Sequence, residues 1–182
     1  MKKVISAILA IITVATVALL AASCGEKDAS APDGMVKASA ENIGYSFYVP
    51  SSWKCDVASG ATTAYYSSSD ASNVSVMSFS AKNTDFTADS WWDGFLEDFS
   101  NTYSEFELIS TEETALDSSG AKKYVYTGKL GEVTYKFMQV VTVKKESLSA
   151  PQIIIFTYTS VPDIFDSHLD DVQKMLDNFK FN

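Results

Sequence analysis

The stretch Gln152-Ile153-Ile154-Ile155-Phe156-Thr157-Tyr158-Thr159 decides the fold of this chain. Its side chains at 153–156 are apolar at four successive positions. Because successive side chains of a β-strand point to opposite faces of a sheet, a strand that is apolar on both faces has to be covered on both faces. The stretch therefore predicts a strand inside a sheet that has other protein packed on either side.

The segments around this strand predict an antiparallel sheet and two helices. Alternating apolar and polar residues predict further strands, and apolar residues at the 3, 4, 7 spacing predict helices. No βαβαβ alternation appears and the strand connections are short, so we expect the α+β class with an antiparallel sheet. The predicted strands cover residues 45–49, 62–66, 74–80, 106–116, 122–129 and 133–144, and the predicted helices cover 88–103 and 164–178.

Each predicted helix has one apolar side. The first helix begins with Thr87 or Asp89 as its N-cap, and Pro162 opens the second. Trp91 lies beside the centre of the first stripe, so we expect it to be partly exposed. The first stripe contains Trp92, Phe95, Leu96, Phe99 and Tyr103, and the second contains Phe165, Leu169, Val172, Leu176 and Phe179.

The N-terminus has the pattern of a bacterial lipoprotein signal. Lys2 and Lys3 precede an apolar segment, and the small residues at 21–23 precede Cys24. This pattern predicts a signal peptide over 1–23 and a lipidated Cys24 as the mature N-terminus. An uncleaved transmembrane helix over residues 4–22 is the alternative. Both interpretations place the rest of the chain on the extracytoplasmic side, in the bacterial cell envelope.

Composition divides the remaining chain and limits its partners. Residues 24–40 are small and polar and predict a flexible tether, which leaves 41–182 as one domain. The chain has a net charge of −9, and losing Lys2 and Lys3 lowers it to −11. All 14 basic residues are lysines. An acidic chain without arginine is poorly suited to nucleic acid or to anionic lipid headgroups, so we expect the membrane to be reached only through the lipid anchor.

The chain has two cysteines. If Cys24 is acylated, Cys55 has no partner within the chain and no disulfide framework forms. The sequence leaves open whether Cys55 is a reactive thiol or a half-buried structural residue.

Two motifs at the ends of the domain resemble those of PsbP-like domains. The first is Gly44-Tyr45-Ser46-Phe47-Tyr48-Val49-Pro50-Ser51-Ser52-Trp53, and the second is the closing helix that ends in Phe179-Lys180-Phe181. The resemblance covers about residues 40–182. It implies a three-layer α/β/α sandwich, in which helices flank both faces of an antiparallel sheet. It also implies a non-enzymatic, protein-binding function, and it assigns a function to no individual residue of this chain.

Side chains suited to catalysis are few. His168 is the one histidine, and we expect it at the surface or at the boundary of the last helix rather than in a catalytic triad. The spaced carboxylates of Asp89, Asp93 and Glu97 are typical of a solvated helix face, with a weak divalent-cation site as the alternative. We predict no catalytic residues, no metal site and no cofactor. Trp53 and Trp91 are the candidate ligand-binding residues, because exposed aromatic rings suit a carbohydrate or protein ligand.

The sequence thus predicts an extracytoplasmic lipoprotein that is not an enzyme. Its domain is expected to bind an envelope protein or to stabilise a complex. The alternative is a lipoprotein that binds a small ligand or a carbohydrate through Trp53 or Trp91.

Replacing Cys24 tests the lipid anchor. We expect Cys24→Ala to abolish metabolic labelling of the chain by a palmitate analogue, because the acylated thiol is lost. Cys55→Ala is the control and is expected to keep the label. Labelling that survives Cys24→Ala would contradict the lipoprotein assignment.

Overall fold

The computed structural model describes residues 30–39, 43–58, 61–81, 83–145 and 150–182, of which 56–58 and 61 are described by their backbone alone. The signal peptide of 1–23 and Cys24 lie outside the described residues. The strands are β1 Met35–Lys37, β2 Tyr45–Ser46, β3 Tyr48–Pro50, β4 Lys54–Ala58, β5 Ala61–Tyr65, β6 Asn73–Ser80, β7 Ser104–Leu116, β8 Ser119–Leu130, β9 Val133–Lys144, β10 Gln152–Ser160 and β11 Lys180–Phe181. The helices are α1 Ala88–Phe99, α2 Pro162–Phe165 and α3 Leu169–Asp177, and the 3-10 turn Asp166–His168 joins the last two.

The main sheet has seven strands in the order β4-β5-β6-β10-β9-β8-β7 within the described part of the chain. Every neighbouring pair is antiparallel. β10 lies at the centre, between β6 and β9, and all of its residues except Gln152 are buried. The predicted antiparallel sheet and the α+β class are confirmed.

Two clusters of buried side chains lie against this sheet. Val141 and Ile153 belong to the cluster that contains α1, which we call the α1-side core. Val140 and Ile154 belong to the cluster that contains α3, which we call the α3-side core. Since neighbouring residues of a strand point to opposite faces, the two cores lie on opposite faces of β9 and β10.

The α1-side core is mainly aromatic. α1 begins at its N-cap Thr87, whose hydroxyl accepts a hydrogen bond from the Ser90 amide at 3.1 Å, which confirms the first of the two predicted caps. The rings of Trp92 and Tyr124 stack in parallel, with centroids 4.1 Å apart. The helix ends at Phe99 rather than at the predicted Tyr103, because a turn follows. Tyr103 is still buried.

The two ends of the domain meet in a small sheet. β11 pairs antiparallel with β2, so that Phe181 lies opposite Tyr45, and the rings of Tyr45 and Phe179 stack at 5.2 Å. β1 pairs with β3 in a second two-stranded sheet. The opening and closing motifs of the sequence are therefore bound to each other.

Two sequence predictions are wrong in their details. Residues 35–39 were expected in the tether, but β1 is hydrogen-bonded to β3 and Ala38 is buried. The last helix is not continuous, because the 3-10 turn interrupts it, and its buried side includes Met175, which the stripe omitted. His168 is the last residue of this 3-10 turn.

Among the residues that the structure describes, no helix has the length and apolar character that crossing a bilayer requires.

The contact between β8 and α1 gives a test of the fold. A Cβ at Gly128 would lie 2.5 Å from Cζ of Phe99, so the helix and the strand are in contact there. We expect Gly128→Ala to lower the free energy of unfolding by about 1–3 kcal/mol, measured by urea titration.

Gly94 provides the matched control within α1. A Cβ there meets nothing within 4 Å. We expect Gly94→Ala to raise the free energy of unfolding by about 0.5–1 kcal/mol, because alanine favours the helical backbone. Equal effects of the two substitutions would contradict the packing of α1 on β8.

Candidate functional site

The two candidate tryptophans are both buried, with 2% of each exposed. Trp91 packs against Phe79 and Phe95 in the α1-side core, so its expected exposure is wrong. Trp53 belongs to the α3-side core, on the other face of the sheet. The structure does not bring the two residues together. The expectation of a carbohydrate or small-ligand platform depended on their exposure and loses its basis.

Trp53 lies in a group of polar and aromatic side chains that we call the His168 cluster, which consists of Trp53, Tyr66, Asp70, His168 and Asp171. The indole N–H of Trp53 donates to Oδ2 of Asp171 in α3 at 3.0 Å. Nε2 of His168 lies 2.6 Å from Oδ2 of Asp70. The Tyr66 ring packs against the His168 ring, with centroids 4.2 Å apart. The cluster thus joins the segment after β3, the segment after β5 and the last helices.

The loop between β5 and β6 positions Asp70. Its backbone N–H donates to the Ser67 hydroxyl at 3.1 Å, and its Oδ1 accepts from the Ser72 amide at 2.9 Å. The hydroxyls of Ser72 and Ser160 are 2.7 Å apart, which ties the loop to the end of β10. Asp70 therefore reaches His168 from a loop held at several points.

The contacts of Asp70 stabilise its charged form. Burial favours the neutral acid and is the largest single influence. It is outweighed by hydrogen bonds from the Ser72 hydroxyl, His168 and the Ser72 amide together with the electrostatic attraction between Asp70 and His168, so the pKa of Asp70 lies below the ordinary aspartate value. The ionised carboxylate is thus part of the folded state.

The cluster does not have the arrangement of a catalytic triad. A triad needs a serine hydroxyl against the imidazole and a carboxylate behind it. In the described part of the chain His168 is hydrogen-bonded to Asp70, whereas Ser72 is buried and contacts Asp70 and Ser160. His168 itself is buried, with 8% exposed, and its partner 98 residues away was not predicted. The geometry is that of a structural link between a loop and a helix.

The predicted acidic helix face offers no metal site among the described residues. No group of three or more histidine, cysteine or acidic side chains there has the geometry to hold a metal ion. Oδ1 of Asp89 instead accepts from Nζ of Lys122 at 2.6 Å and from the Tyr124 hydroxyl at 3.3 Å. Asp89 thus links α1 to β8.

Cys55 is buried and disulfide-bonded. The expectation that Cys55 has no disulfide partner is wrong. That expectation assumed that the sulfur of Cys24 carries an acyl group. The described residues contain no second cysteine, and Cys24 lies outside them. Lipidation of Cys24 therefore stays a prediction.

Buried polar atoms without partners occur beneath α1. Nε2 and Oε1 of Gln139 and the hydroxyls of Tyr103 and Tyr126 have no hydrogen-bond partner among the described residues. Burial raises the pKa of both tyrosines well above the ordinary value, so they stay neutral. Groups of this kind destabilise a core by about 1–3 kcal/mol each. They give the α1-side core no nucleophile or base.

Three of the five exposed large apolar residues in the described part of the chain lie on β7 (Ser104–Leu116), the outermost strand on its side of the sheet, which we call the edge surface. The first ten residues of β7 are all exposed. They include Phe106, Leu108 and Ile109, and Leu108 keeps 43% of its surface in solvent. The sequence predicted a strand over 106–116 but not its position at the edge, because alternation alone does not show which strand lies at an edge.

The fold is similar to that of several solved structures. Cyanobacterial PsbP (CyanoP) from Synechocystis sp. PCC 6803 matches with a TM-score of 0.61 and 17% identity, over 87% of this chain and 98% of that one. LpqN from Mycobacterium tuberculosis, involved in cell envelope biogenesis, matches with a TM-score of 0.61 and 12% identity, over 81% and 90%. The Ran-binding protein Mog1p from Saccharomyces cerevisiae matches with a TM-score of 0.53 and 11% identity, over 81% and 95%.

No protein-family model and no curated protein matches the sequence. At the identities of the solved structures, the likeness establishes the fold and nothing about activity.

The lowered pKa of Asp70 predicts how stability depends on pH. The ionised group stabilises the fold above its unfolded pKa, and this contribution is lost as the pH falls through the lower pKa of the folded state. We expect Asp70→Asn to cost roughly 1–2 kcal/mol near neutral pH and to flatten the loss of unfolding free energy in acid, measured by urea titration.

Asp33→Asn is the control for this experiment, because Asp33 is exposed and forms no ion pair with a described residue. Its stability curve is expected to follow that of the unmodified chain. An Asp70→Asn curve parallel to the unmodified one at every pH would contradict the assigned role of Asp70.

Proposed function

We propose that this chain, whose domain has the PsbP-like fold, is a membrane-anchored extracytoplasmic lipoprotein that binds another protein and performs no catalysis. The observation that carries the proposal is the edge surface. A soluble domain seldom leaves a long edge strand with exposed large apolar side chains, since such a strand pairs with other chains.

The exposed apolar residues of β7 lie in one short segment. Phe106, Leu108 and Ile109 fall within four residues, and the Phe106 ring rests against Trp92 and Phe99 of α1. Those contacts hold the Phe106 ring in place while more than a third of its surface stays in solvent. A fixed, half-exposed aromatic residue beside aliphatic neighbours is typical of a protein-binding surface.

The N-terminal sequence supports the location. The signal pattern before Cys24 places the mature domain outside the cytoplasmic membrane, in the bacterial cell envelope, with acyl chains as its attachment. A thioether at Cys24 uses the sulfur that an intramolecular disulfide would need, so acylation of Cys24 and a disulfide through the same sulfur exclude each other in one molecule.

The neighbours in fold are consistent with a binding role. One is involved in cell envelope biogenesis, and another is a Ran-binding protein. The two cores on opposite faces of the main sheet support the family's three-layer α/β/α arrangement for this domain, with α1 as one outer layer and α3 as the other.

Site-specific photo-crosslinking in the native envelope tests the binding role. We expect a photoreactive phenylalanine analogue at Ile109 to join the chain to one discrete protein, which mass spectrometry identifies. The same analogue at Val133, exposed at the start of β9, is the matched control and is expected to give no such product.

A second substitution checks that the product depends on the edge surface. Leu108→Lys is expected to abolish the crosslink from Ile109. The proposal is wrong if Ile109 gives no product, or if Val133 gives the same one.

A further inference from the structure

The outer side of β7 can accept another strand. Among the residues that the structure describes, β7 is paired with β8 on one side only, and it is the last strand of the sheet. From Ser110 to Leu116 its register with β8 continues without interruption, whereas the irregularities lie before Ser110. On an edge strand, alternate backbone N–H and C=O groups point away from the sheet. Within these seven residues, every second one therefore directs its backbone N–H and C=O away from β8, where no described strand pairs with them.

The two faces of β7 differ in chemistry. Directly paired residues share a face of the sheet. Leu108 pairs with Tyr126, a member of the α1-side core, and Phe106 contacts the same ring, so both face the side of α1. Glu107 pairs with Thr127 and Glu112 pairs with Lys123, which places both glutamates on the other face.

The charge of β7 is entirely negative. It contains the four glutamates Glu105, Glu107, Glu112 and Glu113, and it contains no lysine or arginine. Three of them form ion pairs with lysines of β8, and Glu107 forms none with a described residue. The side chain of Glu113 is 82% exposed, whereas that of its partner Lys122 is 21% exposed. The carboxylates rather than the lysines are what an approaching strand meets.

The acidic character extends from β7 to the start of α1. The hydroxyl of Tyr124, which lies opposite Thr111, has its pKa raised by burial and then by the charges of Asp89, Glu113 and Asp93. A second copy of the chain is therefore a poor occupant. Pairing of β7 with its own copy brings glutamates together, and the whole chain carries a net charge of −9.

We propose that the edge surface binds an extended segment in which Lys or Arg alternates with apolar residues, added as an eighth strand beside β7. The apolar side chains of that segment lie next to Phe106 and Leu108, and its basic side chains lie next to Glu107 and Glu112. This inference rests on the proposed protein-binding function and names the chemistry of the partner. Backbone hydrogen bonds supply affinity, and the two faces supply specificity.

A synthetic peptide tests the inference directly. The probe is a capped peptide of about twelve residues in which Lys alternates with Val, long enough to cover the exposed part of β7 at about 3.3 Å per residue. It is added to the full-length chain in neutral detergent, and backbone amide chemical shifts are recorded. We expect shifts concentrated over residues 106–116 and a dissociation constant that rises with salt.

Two altered peptides separate the contributions. Replacing every Lys by Glu is expected to abolish binding, because it sets like charges against the glutamates. Methylating alternate backbone nitrogens on the side that faces β7 is expected to do the same, because those amides then cannot donate to the ladder. Equal binding by the Lys and Glu peptides would overturn the charge argument.

A matched pair of protein variants tests the surface. Leu108 and Val133 are equally exposed, at 43% each, but only Leu108 lies on β7. Leu108→Lys is expected to weaken peptide binding by about tenfold or more, and Val133→Lys by less than about twofold. Both positions are exposed, so both variants are expected to fold.

The outcomes separate this inference from the proposed function. If Ile109 crosslinks a protein in the envelope but the peptide leaves the β7 amides unchanged, the strand-addition inference is wrong and the binding function stands. If neither occurs, both fail. Shifts centred on the opposite edge strand β4, or a dimer of the chain that buries β7, would also overturn the inference.

Discussion

The burial of β10 on both faces is the constraint on which the rest of the structure depends. Ile153 and Ile155 enter the α1-side core, while Ile154 and Phe156 enter the α3-side core. Each such side chain contributes about 1.5–3 kcal/mol only if it is removed from water. Other parts of the chain must therefore cover both faces at the centre of the sheet. Side chains of α1 lie in one core, and side chains of α3 lie in the other. The same sheet has β4 and β7 as its two edge strands within the described part of the chain.

The two edges of the sheet are treated differently. β4 has five residues, so it offers a short row of backbone groups. β7 has thirteen residues and two irregularities in its pairing with β8. Bulges and glutamates are features that discourage indiscriminate pairing. They do so while leaving Phe106, Leu108 and Ile109 in solvent, which suits selection of one kind of partner better than general protection of the edge.

The His168 cluster illustrates how the ends of the chain are held. The segment after β3, which carries Trp53, and the last helix, which carries Asp171, meet through one hydrogen bond. The pair formed by Asp70 and His168 fixes the loop after β5 to the 3-10 turn directly before that helix. Polar groups that first suggest chemistry thus link elements that are far apart in the sequence, whereas the exposed apolar side chains lie elsewhere, on β7.

Periodicity in the sequence determined the elements, because a strand or a helix depends on residues close together in the chain. The antiparallel sheet, the Thr87 cap, the aromatic side of α1 and the double burial of β10 all follow from such local patterns. Burial of Trp53 and Trp91, the pairing of Asp70 with His168 and the position of β7 at an edge depend on segments that are distant in sequence. Neighbouring residues do not encode such contacts. Tertiary structure alone decided them, since strand order and helix placement determine which side chains lose their access to water.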